Sequence, residues 1–225
     1  MSQPFQLSVA RALTLCVGLA AAGAQAADLA SRFDSSAEGW RVSDIGSLPG
    51  AGSAATWDSE TQRITTSDIA TWTVYSAPAA FLGNKASFYS GSFSFQLTDN
   101  LKDDNADSVA TFGMASGTTA LYWFGGSPST TAMTSFTASL SVDDTRWRLG
   151  GLPTDITSGA TPTAAQFQAV LGALTAIRIN ADWKTAGNDI TALDNVVLAA
   201  APVPEPGAGW LMGAGVAALA LCRRR

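Results

Sequence analysis

Hydrophobic and polar positions alternate along much of this chain. In residues 92–97 (SFSFQL), Phe93, Phe95 and Leu97 alternate with Ser92, Ser94 and Gln96, the period-two pattern of a half-buried β-strand. Residues 71–76 (TWTVYS) place Trp72 and Val74 on one face and Thr73 and Tyr75 on the other. Residues 108–114 (SVATFGM) and 120–124 (ALYWF) predict two further strands, and in 176–183 (AIRINADW) Ile177 and Ile179 alternate with Arg178 and Asn180. Residues 190–198 (ITALDNVVL) are apolar on both faces and predict a buried closing strand. Gly, Ser, Asp and Pro fill the gaps, as in 47–54 (SLPGAGSA) and 98–107 (TDNLKDDNAD).

One segment has the helical period instead. In 161–174 (TPTAAQFQAVLGAL), Thr163 and Gln166 have capping-box spacing, and Phe167, Val170, Leu171 and Leu174 form a stripe at i, i+3, i+4 and i+7. A weaker helical turn is expected in 77–83 (APAAFLG). Many short strands, one short packed helix and no internal repeat predict an all-β protein built as an antiparallel β-sandwich.

The two ends follow neither pattern. Residues 12–22 (ALTLCVGLAAA) form an apolar stretch behind Arg11, and Ala24 and Ala26 occupy the two small positions of an A-x-A cleavage site. Residues 1–26 therefore predict a signal peptide, cleaved before Ala27. At the other end Val203, Pro204, Glu205 and Pro206 precede sixteen uncharged residues, 207–222, and the chain closes on Arg223, Arg224 and Arg225. As a helix that run measures roughly 24 Å, short of the roughly 30 Å hydrocarbon layer. It predicts a short transmembrane helix whose arginines snorkel to the cytoplasmic side.

Composition narrows the function of what lies between. From 27 to 202 the chain carries seventeen acidic and nine basic side chains, a net charge of −8, which argues against nucleic acid as a partner. The whole sequence has no histidine, and its two cysteines, Cys16 and Cys222, lie in the terminal apolar segments. Ser-His-Asp and Cys-His catalysis are thereby excluded, as are the usual zinc and copper sites. Carboxylate chemistry remains: acid pairs of the glycosidase kind, or hard cations such as calcium.

The ending, VPEP followed by a short apolar span and an arginine cluster, resembles the PEP-CTERM sorting signal of Gram-negative bacteria. The resemblance implies an exosortase-type sorting enzyme as partner, a transient inner-membrane anchor, and delivery to the envelope, cell surface or extracellular matrix in cells that make exopolysaccharide. A second resemblance rests on ordered pieces across residues 33–198. These are EGWRV (38–42), WTVYSAPAAFLGNKASFYSGSFSFQL (72–97), RW (146–147), FQAVLGALTAIRINADW (167–183) and LDNVVL (193–198). Together they resemble the laminin B domain, laminin domain IV. That family implies a jelly-roll sandwich of the galactose-binding-like kind, akin to carbohydrate-binding modules, with no catalytic signature. The domain limits expected are 27–201 for the sandwich and 202–225 for the sorting signal.

In sandwiches of this kind the first and last strands often lie side by side. Asp34 and Asp194 then either hold a structural calcium, or cap a turn and bond backbone amides respectively. No cofactor is required beyond that ion. Residues 103–107 (DDNAD) alternate oxygen donors but lack the later Gly and Glu of an EF-hand loop, and read as a solvated acidic turn. Tyr122, Trp123 and Phe124 are consecutive, so at least one ring of a strand here points away from the core; Tyr122 and Trp123 are the candidate platform for a sugar. Asp143 and Asp144 are adjacent and make a poor acid pair. The reading that results is a non-catalytic exported adhesion or binding module. The alternatives are a carbohydrate-binding module for exopolysaccharide and, more remotely, a carboxylate-dependent glycosidase.

Overall fold

The computed structural model describes residues 26–151, 159–185 and 187–202. Ala24 of the expected cleavage site and the tail from Val203 to Arg225 lie outside the described residues. Among the described residues no helix is long and apolar enough to cross a membrane.

Among the described residues thirteen strands run in the order β1 (Leu29–Ser31), β2 (Arg41–Asp44), β3 (Ser53–Ala54), β4 (Thr56–Asp58), β5 (Arg63–Ser67), β6 (Thr73–Ser76) and β7 (Ser92–Asp99). They continue as β8 (Phe112–Ser116), β9 (Thr119–Trp123), β10 (Thr134–Ser139), β11 (Trp147–Gly151), β12 (Ala176–Asn180) and β13 (Ile190–Ala199). One α-helix, α1 (Ala164–Gly172), precedes β12. The strands form two antiparallel sheets. The first has the order β10-β7-β13-β5-β4, with β1 also pairing β13; the second has the order β11-β9-β8-β12-β6-β2-β3. The chain is thus an all-β sandwich with one helix.

The expected elements are there. β7 buries every second residue along its length, with Phe93, Phe95, Leu97 and Asp99 facing inward. Thr163 caps α1 and Gln166 completes the capping box; Phe167, Val170 and Leu171 are the helix's buried face. β13 lies inside its sheet between β7 and β5, as an apolar closing strand should. Its pairing with β7 slips between Asp194 and Val197, where Asn195 takes a φ of 49°. Asn tolerates that left-handed conformation better than most residues, so the D-N pair builds a bulge. First and last strands do lie side by side, Leu29 opposite Leu198.

Other elements differ from the pattern. The strand expected over 108–114 starts only at Phe112, because Ala106–Ser108 form a 3-10 turn. The helical turn at 77–83 is a single 3-10 turn, Ala79–Phe81. Strands β5 and β10 carried no strong signal. In RITTS only Ile64 is apolar, and in TSFTAS only Phe136 and Ala138 are, so their partners rather than their own side chains make them strands.

The core between the sheets is aromatic. Phe112 of the second sheet meets Phe93 of the first at 4.9 Å between ring centroids, Phe95 at 5.7 Å, Trp123 at 5.5 Å and Trp147 at 5.3 Å. Trp147 continues the chain of rings to Phe167 of α1 at 5.0 Å. Edge-to-face and tilted contacts of this kind add to the burial of large apolar surface. Phe112→Ala should therefore lower the unfolding free energy by about 3–5 kcal/mol, while Ile69→Ala, at a position 53 % exposed, should change it by less than about 0.5 kcal/mol. Urea denaturation of both variants checks this; equal effects would contradict the placement of Phe112 at the centre of the core.

Candidate functional site

The side chains singled out from the sequence fall in three places. Trp123 is fully buried, and its indole nitrogen donates to Asp144 Oδ2 at 2.9 Å. It is a core residue, not a platform for a sugar. Tyr122 points to the opposite, outer face of the second sheet, as alternation requires, but it is almost wholly buried too. Its ring lies across Gly113 and Gly150: a Cβ on Gly113 would stand 2.9 Å from that ring, and one on Gly150 3.2 Å. Ala110, Ala115, Ala120 and Ala176 complete a small satellite cluster around it. The segment after β2 closes this face. Arg178 donates to the Ser47 carbonyl, and Ile45 and Trp72 leave a cavity of only about 20 Å³ over the tyrosine.

Asp34 is close enough for its charge to act on Asp194. Burial raises the Asp194 carboxyl, the Asp34 charge adds to that, and the Asn195 amide and Arg63 oppose it. Asp194 Oδ1 accepts from the Asn195 amide at 2.7 Å, Oδ2 accepts from the Asn195 side chain at 3.1 Å, and Arg63 Nε stands 3.8 Å from Oδ2. A cation placed between the two aspartates would meet the arginine's positive charge. The residues at Asp34 and Asp194 fit a calcium poorly.

Asp144 is committed as well. Arg146 grips it through two contacts of 2.8 Å and Trp123 supplies a third donor. Burial pushes this carboxyl up, but those donors outweigh it and hold it below the usual range. No glycosidase-type acid is poised here.

A wider opening lies at one end of the sandwich. It is a cleft of about 450 Å³ between the loop after β5, the loop after β7 and the loop before β13. Trp72, Asp68, Asp182, Asn105, Asp103 and Lys184 face it. Its walls are tied together. Lys184 pairs with Asp103, the Thr185 amide donates to Asp103 Oδ2 at 2.7 Å, and the Asp103 amide donates to the Trp183 carbonyl at 2.8 Å. The DDNAD segment is thus a structural brace as much as a solvated turn. Trp72 forms a wall common to this cleft and to the small cavity over Tyr122, and its indole donates to Asn180 Oδ1 at 2.9 Å. Asp182 is pushed up to about 7 by burial and by the charges of Asp189 and Asp68, so near neutral pH it both donates and accepts hydrogen bonds.

Behind the cleft sit Asp99 and Asp189, 1 % and 0 % exposed. Burial raises the Asp99 carboxyl, the Leu101 amide and Thr191 hydroxyl oppose the rise, and the neighbouring Asp189 adds to it. Sequence reasoning missed Asp68, Asp99, Asp182 and Asp189. Each stands at a strand end or in a loop, where Asp is the ordinary residue, so nothing local marked them.

The brace at Asp103 has a pH signature. The Lys184 hydrogen bond, with the Thr185 amide, lowers the Asp103 carboxyl from 3.8 to about 2. Its folded-state value lies below the unfolded one, so its contribution is full above 3.8 and is lost as pH falls toward 2. Asp103→Asn should remove this part of the acid sensitivity and speed hydrogen exchange at the Thr185 amide at neutral pH. Unchanged exchange there would contradict the brace.

Comparison with known proteins agrees with this architecture. The laminin B (Domain IV) family profile matches residues 74–211, and the PEP-CTERM protein-sorting motif matches 202–225. No curated protein matches the chain. Among solved structures the fold is similar to the L4b domain of human laminin alpha-2, with a TM-score of 0.52 and 14 % identity over 62 % of this chain and 80 % of that one. A weaker similarity, with a TM-score of 0.38 and 15 % identity, joins 80 % of this chain to 89 % of a family 11 carbohydrate-binding module from a Clostridium thermocellum cellulase. The sorting motif marks an exported protein that has a C-terminal membrane anchor before an exosortase-type enzyme processes it. By the extent of its profile match, and by a sandwich that runs through the matched residues, the chain belongs to the laminin B (domain IV) family.

Proposed function

We propose that this chain is a non-catalytic adhesion module of the cell envelope or extracellular matrix, and that it holds a polysaccharide chain, the cell's own exopolysaccharide, in the end cleft. The observation that carries the reading is the contrast between the two openings. The sheet face with Tyr122 is filled by the protein's own side chains, whereas the end cleft is wide, braced and lined by a tryptophan among hydroxyl-binding carboxylates, an amide and a lysine. Apolar faces of sugar rings stack on such an indole, and paired polar groups fix their hydroxyls. Three carboxylates are unsuited to act on a polymer: Asp144 is locked by Arg146, and Asp99 and Asp189 are buried beyond its reach.

Exopolysaccharide isolated from the producing cells should retard the mature protein in affinity electrophoresis and release no reducing sugar on incubation. Trp72→Ala should weaken that retardation by about tenfold, the loss of one aromatic contact of about 1.5 kcal/mol. Tyr122→Phe should leave it unchanged. Retardation lost with Tyr122→Phe and kept with Trp72→Ala would move the site to the sheet face, and no retardation at all would reject a glycan ligand.

Delivery follows from the tail. In this proposal Arg223 to Arg225 resist translocation, and that hold presents Val203 to Pro206 to the sorting enzyme. C-terminal mass spectrometry of surface-localised protein should then lack Arg225. Its recovery intact from a host with active sorting would overturn the proposed cleavage.

A further inference from the structure

The buried pair behind the cleft is not balanced by the protein around it. Asp189 Oδ2 accepts from the Trp183 amide at 3.0 Å, but Oδ1 is shielded from solvent and has no hydrogen-bond partner. Asp99, within hydrogen-bonding reach of Asp189, takes the Leu101 amide on Oδ1 at 2.8 Å and the Thr191 hydroxyl on Oδ2 at 2.7 Å. No basic side chain faces the pair: the ion pairs among the described residues join Arg63 to Asp194, Arg146 to Asp144 and Lys184 to Asp103. The groups packed nearby add negative charge or neutral oxygen. Asp182 and Asp68 lie on the cleft side, the Tyr75 hydroxyl donates to the Thr191 carbonyl, and the Ala181 carbonyl oxygen stands 2.9 Å from the Thr191 hydroxyl, whose one proton goes to Asp99. A buried carboxylate pair with no counter-charge and one oxygen left without a donor costs several kcal/mol.

We propose that Asp99 and Asp189 bind one divalent cation, calcium, in the layer behind the end cleft. The donors are hard oxygens throughout, and calcium accepts irregular shells of 6–8 oxygens that include backbone carbonyls and water. No three carboxylates converge among the described residues, so two carboxylates, a carbonyl and water make the shell. The ion joins the end of β7 to the start of β13 and, through the Trp183 amide, steadies the loop that walls the cleft. This inference is independent of what the cleft holds.

The test uses the mature exported protein, stripped with EDTA and then given calcium chloride at about millimolar concentration, the range of extracellular calcium modules. The melting temperature should rise by several degrees with calcium and fall again with EDTA, because a ligand of the folded state stabilises it by mass action. Terbium should bind one ion per chain with tryptophan-sensitised luminescence, which calcium displaces. Asp189→Asn and Asp99→Asn, near-isosteric changes, should each abolish both responses, and Asp194→Asn should keep them. If one variant does not fold, the other and the wild-type terbium stoichiometry still decide. A melting temperature indifferent to calcium and EDTA overturns the proposal. So does a response lost in Asp194→Asn but kept in the other two. A calcium-independent melting temperature that falls as pH rises from 5 to 8 overturns it in favour of a proton shared by the pair.

Discussion

Phe112 stands where the two sheets need each other most. It belongs to β8, yet its ring touches Phe93 and Phe95 of the opposite sheet and Trp123 and Trp147 of its own. The sandwich contains no cysteine, since Cys16 and Cys222 lie outside it, so no disulfide holds the sheets. Small exported domains commonly depend on such cross-links; this one relies on packed aromatic rings. The helix joins the same cluster through Phe167 against Trp147, which explains why an otherwise all-β chain keeps one well-capped helix.

A core packed this way leaves the ends of the sandwich to do the polar work. On the outer face of the second sheet, glycines at 113 and 150 let Tyr122 lie flat, and the segment after β2 seals it. At the end of the sandwich the loops stay apart, braced by Asp103 with Lys184 and by Asp189 with the Trp183 amide. The acidic surplus of the domain is concentrated here, in Asp68, Asp99, Asp182 and Asp189, and it is this surplus that a bound cation or a hydroxyl-rich ligand would relieve.

Much of the fold was legible from the sequence, because strands such as SFSFQL and the helix AAQFQAVLG carry their own periodicity. The apolar ITALDNVVL run announced a buried closing strand, while the bulge at its Asp-Asn pair shows only in the fold. The site was less legible. Tyr122 and Trp123 are equivalent as letters, and only the pairing of β9 with β8 and β11 shows which ring enters the core and which is roofed over. Arg63, distant in sequence, stands beside Asp194, a neighbour that no spacing in the chain announced. The cleft aspartates come from three loops that touch only in the fold, so no spacing in the chain could have grouped them.

The central claim is that this laminin B domain binds its polymer at the end of the sandwich and not on its sheet face. Amide chemical-shift mapping tests it most directly: the isotope-labelled mature protein is titrated with oligosaccharides cut from the exopolysaccharide of the producing cells. The account predicts shifts clustered at Asp68, Trp72, Asn105, Asp182 and Lys184, with Tyr122, Gly113 and Gly150 left unmoved. Shifts centred on Tyr122 and its glycines, or none at saturating oligosaccharide, would contradict it.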